Sequence, residues 1–85
     1  MGKEKKKISS LRSFEATYPH IALWVTNGGW IEMGDDECSP SFVRALDGGG
    51  MVWEGKSRYQ SVDEALRAME IGLRKYMQEQ GIDLP

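Results

Sequence analysis

His20 and Cys38 are the only histidine and the only cysteine in this 85-residue chain. Asp35, Asp36 and Glu37 run directly into Cys38. Imidazole, carboxylates and a thiolate are the materials of a metal site or of a Cys–His nucleophile pair. The spacing supports neither. Cys-x-x-Cys and His-x-x-x-His are absent, and the carboxylates beside Cys38 disfavour its thiolate by like charge. These residues read as a strand end beside an acidic loop. No catalytic residue, no metal ligand and no cofactor is expected.

Gly48-Gly49-Gly50 invites a phosphate-loop reading. No Lys-Ser/Thr and no helical pattern follows it, so the P-loop and the dinucleotide fingerprint both fail and a tight turn remains. Trp24, Trp30, Trp53, Tyr18 and Tyr59 would stack on unpaired bases if cations were interleaved with them. Only Arg44, Lys56 and Arg58 stand near Trp53 and Tyr59. Charge is split along the chain: residues 1–12 carry Lys3, Lys5, Lys6, Lys7 and Arg12 against Glu4, a net +4, and the remainder holds six basic and twelve acidic residues, a net −6. A basic tail reaches for phosphates, stays solvated, or folds back on its own acidic body. The acidic body repels nucleic acid, which leaves nucleic-acid binding as the alternative reading.

Composition bounds the positioning elements. At 40% hydrophobic and 28% charged residues the chain has an ordinary globular composition, and 85 residues make one domain. Residues 1–9 read as a disordered basic tail and 10–85 as a single α+β domain. The longest apolar run, Ile21 to Val25, is far short of a membrane span. One cysteine and no signal-peptide pattern make the cytoplasm the expected location.

Leu11, Phe14 and Tyr18 have helical spacing that must break before Pro19. His20 to Thr26 is apolar and partly β-branched, which favours a strand. Asn27-Gly28 is the strongest local hairpin signal, so residues 30–34 are expected to return as the second strand. That register places Ile21, Leu23, Val25 and Trp30 on one face, and His20 across from Asp35. A polar loop with Pro40 leads into a third strand, 41–47, and a fourth, 51–55. Pairing Leu46 with Met51 then sets Arg44 opposite Trp53, a cross-strand cation–π pair.

The strongest element is the last. Ser61-Val62-Asp63-Glu64 is a capping box. Val62, Leu66, Met69, Leu73 and Tyr76 form a helical stripe, with Ala65, Gly72 and Met77 beside it. Gly81 is a natural C′ residue, so the helix is expected from Val62 to Gln80. The expected fold is two-layer α+β: a mainly antiparallel four-stranded sheet of two hairpins with one C-terminal helix on one face. The opposite face would stay apolar. Ile21, Leu23, Val25, Trp30, Arg44 and Trp53 are the candidate interaction surface.

The stretch from Gly49 to Met77, with Gly49, Gly50, Val52, Trp53, Glu54, Gly55, Ser61, Asp63, Glu64, Ala65 and Leu66, resembles a pattern in small uncharacterised bacterial proteins of cyanobacterial type. They join a Gly-Gly turn and a Val-Trp-Glu-Gly strand to a capped helix. The resemblance covers about a third of the chain and implies a fold without an activity. Strands followed by SVDEALRAMEIGL are also similar to HicB-type antitoxins, whose sheet-and-helix domain binds a partner toxin. That family's Pro-Gly-Cys strand segment and DNA-binding domain have no counterpart here. The sequence thus reads as a small non-catalytic binding or regulatory module that acts by protein–protein contact, with a second copy or another protein as partner.

Overall fold

The computed structural model describes residues 13–35 and 40–81. Residues 13–17 are helical, Tyr18 breaks the turn, and helix α1 follows over Pro19–Thr26. Strands β1 (Trp30–Met33), β2 (Val43–Asp47) and β3 (Gly50–Glu54) form a three-stranded antiparallel sheet in the order β1-β2-β3. Helix α2 (Val62–Glu79) completes the domain. The class is α+β, but the four-stranded sheet of two hairpins is not what forms. The segment expected as the first strand is a helix, and the single hairpin is β2–β3, with β1 meeting β2 through a longer connection.

Three features make 19–26 helical. Pro19 occupies the first turn with its φ already set. Ile21 and Trp24 sit three apart, so a helix turns both inward, where they are buried with Met69, Leu73 and Met77 of α2. The helix then ends on Asn27-Gly28. Asn27 donates its side-chain amide to the Leu23 carbonyl at 2.8 Å, and Gly28 takes the left-handed φ of +97°. A residue with positive φ serves a helix C-terminus as well as a type I′ turn, so this dipeptide does not distinguish the two.

The second hairpin follows the expected register at its turn and departs above it. Leu46 pairs with Met51, as expected, and Asp47 with Gly50. A bulge between Ala45 and Leu46 then leaves Val52 as an extra residue, so Ala45 faces Trp53 and Arg44 faces Glu54. The Arg44–Trp53 cation–π pair is thereby replaced: Trp53 turns toward α2 and Arg44 to the opposite side.

Both helices lie on one face of the sheet. Val43 and Ala45 of β2 are fully buried against Ala65, Met69, Leu73 and Met77, with Ile31 and Trp53 packed beside them. The α2 N-terminus is capped as read: Ser61 accepts from the Glu64 amide at 3.0 Å, while Glu64 reaches back to the Gln60 amide at 3.1 Å. The buried stripe is rotated slightly from the expected one, since Val62 is exposed and Leu66 half-buried.

Gly72 lets α2 approach the sheet. A Cβ built there would lie 2.5 Å from Cδ1 of the Trp53 indole. Alanine in place of glycine within a helix ordinarily gains up to about 1 kcal/mol. Gly72→Ala is expected to lose about 1–3 kcal/mol instead, because the ring or the helix must shift. Urea unfolding of the variant checks this; a gain in midpoint would mean the indole does not rest on Gly72.

Candidate interaction surface

The alternation of each strand sorts the sheet residues into cross-strand rows. On the helix side stand Ile31, Ala45 and Trp53. On the other side one row is Trp30, Leu46 and Met51, and the next is Glu32, Arg44 and Glu54. The first row is apolar and open: Trp30 is 44% exposed and Met51 50%. The second row is a cation between two carboxylates, with Arg44 only 5% exposed.

Arg44 is held firmly. Its Nε donates to Glu32 Oε1 at 3.2 Å, and one terminal nitrogen donates to the Ser41 carbonyl at 2.5 Å and to the Ser41 hydroxyl at 3.3 Å. A buried guanidinium needs such partners, since stripping one leaves an uncompensated charge. The Trp30 indole N–H donates to Glu32 Oε2 at 3.3 Å. Glu32 therefore ties Trp30 and Arg44 together, and an apolar row stands beside an ionic one.

Of the six residues read as an interaction surface, Trp30 and Arg44 lie on this face. Ile21 does not: it is buried in the core, because its segment is helical rather than a strand. Leu23 is half-buried beside the core, and Val25 is exposed on α1. Trp53 is half-buried under α2. Phe14 and Tyr18 pack on the helix side, with their ring centroids 5.1 Å apart, and Leu11 lies outside the described residues. Leu46, Met51, Glu32 and Glu54 complete the face, although none of them stood among the six candidate residues. Strict alternation from Trp30 to Glu32 and from Arg44 to Leu46 is their only local signal.

The His20 constellation is built from different partners. His20 begins α1, and its Nδ1 lies 2.5 Å from Glu70 Oε2 of α2. The Glu70 carboxylate also accepts from the His20 amide at 2.9 and 3.0 Å and from the Ile21 amide at 3.0 Å. About two turns earlier on α2, Asp63 accepts from the Tyr18 hydroxyl and is also bridged to Arg67 at 2.9 Å. The Asp63 hydrogen bond raises the Tyr18 pKa, with lesser contributions from burial and from the negative charge itself. This polar seam joins α1 to α2. The expected opposition of His20 and Asp35 does not occur, since it required the first hairpin. Asp36, Glu37 and Cys38 lie outside the described residues. Among the described residues no group of three or more His, Cys, Asp or Glu is placed to hold a metal ion, and no helix is long and apolar enough to cross a membrane.

The cations considered for nucleic acid are dispersed. Arg44 is buried, and Lys56 is turned onto Tyr59, its Nζ 5.2 Å from the ring centroid. Trp24 donates its indole N–H to the Leu46 carbonyl at 3.1 Å and meets Tyr76 edge-on at 5.8 Å, so it presents no stacking face. No protein-family model, no curated protein and no solved structure matches this chain.

Proposed function

We propose that this chain is a small non-catalytic binding module that works by protein–protein contact through the open sheet face, with a second copy of itself as a partner. The observation that supports this reading is the row Trp30, Leu46, Met51, in which the two outer side chains are about half exposed on a face that neither helix covers. Tryptophan and methionine are typical interface anchors.

The size of the face sets the strength. Three strands about 4.8 Å apart and about five residues long give roughly 14 by 16 Å, or about 220 Å² in projection. A stable interface buries about 800 Å² per partner. The contact is therefore transient unless the free edge of β3 adds to it, since edge pairing satisfies backbone groups that the sheet order leaves open. Two-fold pairing is the commonest closed arrangement for a surface of this kind.

Concentration-series sedimentation tests the reading. Reversible dimer formation is expected at high micromolar protein, and Trp30→Glu should abolish it without loss of fold. A clean monomer over that range, with unchanged Trp30 fluorescence, would overturn self-association. A salt-dependent shift with oligonucleotide would favour the nucleic-acid reading instead.

A further inference from the structure

We infer that Asn27-Gly28 is a self-modification site: the chain converts its one asparagine to aspartate and isoaspartate, and the last turn of α1 controls the rate. The chemistry needs only water. The Gly28 backbone nitrogen gives its proton to solvent and bonds to Asn27 Cγ. The Cγ–Nδ2 bond breaks, and ammonia leaves with a proton taken from solvent. Water then opens the cyclic imide. Cleavage between the nitrogen and Cγ leaves aspartate. Cleavage between the nitrogen and the main-chain carbonyl carbon leaves isoaspartate. Nothing is oxidised or reduced.

Access is the first argument. Asn27 and Gly28 are both exposed. Glycine has no Cβ to crowd its own nitrogen, so the attacking atom is unhindered. Asp47-Gly48 is the rival pair, but a carboxylate is a poorer electrophile than an amide, and Asp47 already accepts from the Gly49 amide at 2.8 Å.

Conformation is the second argument. Asn27 is the C-cap of α1, with a ψ of 28°. That angle turns the Gly28 nitrogen nearly opposite Cβ across the Cα–C bond, out of reach of Cγ. The side-chain amide is also engaged, donating to the Leu23 carbonyl at 2.8 Å. Ring closure therefore requires Asn27 to leave the cap. Local opening of a helix end supplies that state, and α1 has only eight residues.

The product cannot rebuild the cap. Ionised aspartate has no N–H for the Leu23 carbonyl, and its charge faces the negative end of the helix. Isoaspartate adds a carbon to the main chain. Asn27, Gly28 and Gly29 are the whole connection from α1 to β1, and Gly29 is closely fitted. Its amide donates to the Trp24 carbonyl at 3.1 Å, and a Cβ built on it would lie 2.5 Å from Cε2 of the Trp24 indole. Conversion thus loosens α1.

The experiment holds the full chain at 37 °C and neutral pH and follows Asn27 by peptide mapping with mass spectrometry. Isoaspartate should appear there, since direct hydrolysis of the side-chain amide gives aspartate alone. The folded chain should convert about tenfold more slowly than the same chain in urea. Glu70→Ala strips the acceptor from the first amides of α1 and should convert about threefold faster than the natural chain while still folded. Glu70→Gln should fall between the two and carries the comparison if Glu70→Ala does not fold. The converted chain, separated by its added charge, should exchange the amides of residues 20–26 about threefold faster with α2 unchanged, and Asn27→Asp should do the same. Equal rates in folded and unfolded chains would overturn the inference. So would aspartate without isoaspartate, Glu70 variants no faster than the natural chain, or a converted chain with α1 protection intact.

Discussion

Leu73→Ala is expected to lower the unfolding free energy by about 2–5 kcal/mol, the range for a leucine removed from a packed core. Leu73 has no exposed surface and belongs to the buried set of Ala65, Met69 and Met77 on α2, Val43 and Ala45 on β2, and Ile21 and Trp24 on α1. It stands where both helices and the central strand meet, so no single element can move to fill the space. A domain of this size has about 5–10 kcal/mol in total, so the variant would unfold well below the natural midpoint. Two controls fix the orientation of α2. Leu66→Ala should cost less than half as much, since Leu66 is half-buried, and Val62→Ala should cost nearly nothing, since Val62 is 56% exposed. Urea titrations followed by tryptophan fluorescence measure all three. Equal losses at Leu66 and Leu73 would mean the helix presents its stripe as the bare heptad spacing suggests, not as rotated here.

Why α2 was legible and α1 was not follows from where their determinants sit. Everything that specifies α2 is local: Ser61 and Glu64 at its start, 18 residues of amphipathic spacing, and Gly81 with its positive φ after its end. Over that length a helical period is distinct from an alternating one. His20 to Thr26 is too short to show a period, and its β-branched residues favour a strand. What caps its N-terminus is Glu70, some fifty residues away, a tertiary contact that no local pattern reveals. Asn27-Gly28 then satisfied either outcome.

The hairpin shows the same division. Turn chemistry set Leu46 opposite Met51 correctly. The bulge at Val52 shifts every pair above it, and Trp53 beyond it rests against Gly72 of α2, a contact far away in sequence. The interaction surface inherits these errors. Trp30 and Arg44 were found as an exposed aromatic and a strand cation. Their neighbours Leu46, Met51, Glu32 and Glu54 become a face only when β1 pairs with β2. Residues 34–42 separate those strands, and no tight turn announces the pairing.

The polar seam supplies the second large effect. Glu70→Ala is expected to cost about 3 kcal/mol, because it strips the acceptor from several donors at once, and a buried donor left unpaired costs about 1–3 kcal/mol. Those donors are the His20 and Ile21 amides and the His20 ring, all within 3.0 Å of the carboxylate. Nothing nearby replaces it. Tyr18 provides no side-chain cap to α1, and the first turn of α1 holds no acidic residue. The charge also faces the positive end of the helix, where an anion is favoured. Glu70→Gln keeps one carbonyl oxygen for an amide and loses the charge, so it should cost less than the alanine. Hydrogen exchange then identifies the mechanism. In Glu70→Ala the amides of residues 20–26 should lose protection by more than those of α2, since α1 is the element left uncapped. His20→Ala, made alone and on top of Glu70→Ala, isolates the pair: it should be costly in the natural chain and nearly neutral in the variant. Equal costs in both backgrounds would show that imidazole and carboxylate are neighbours without coupling, and that α1 is held by Ile21 and Trp24 alone.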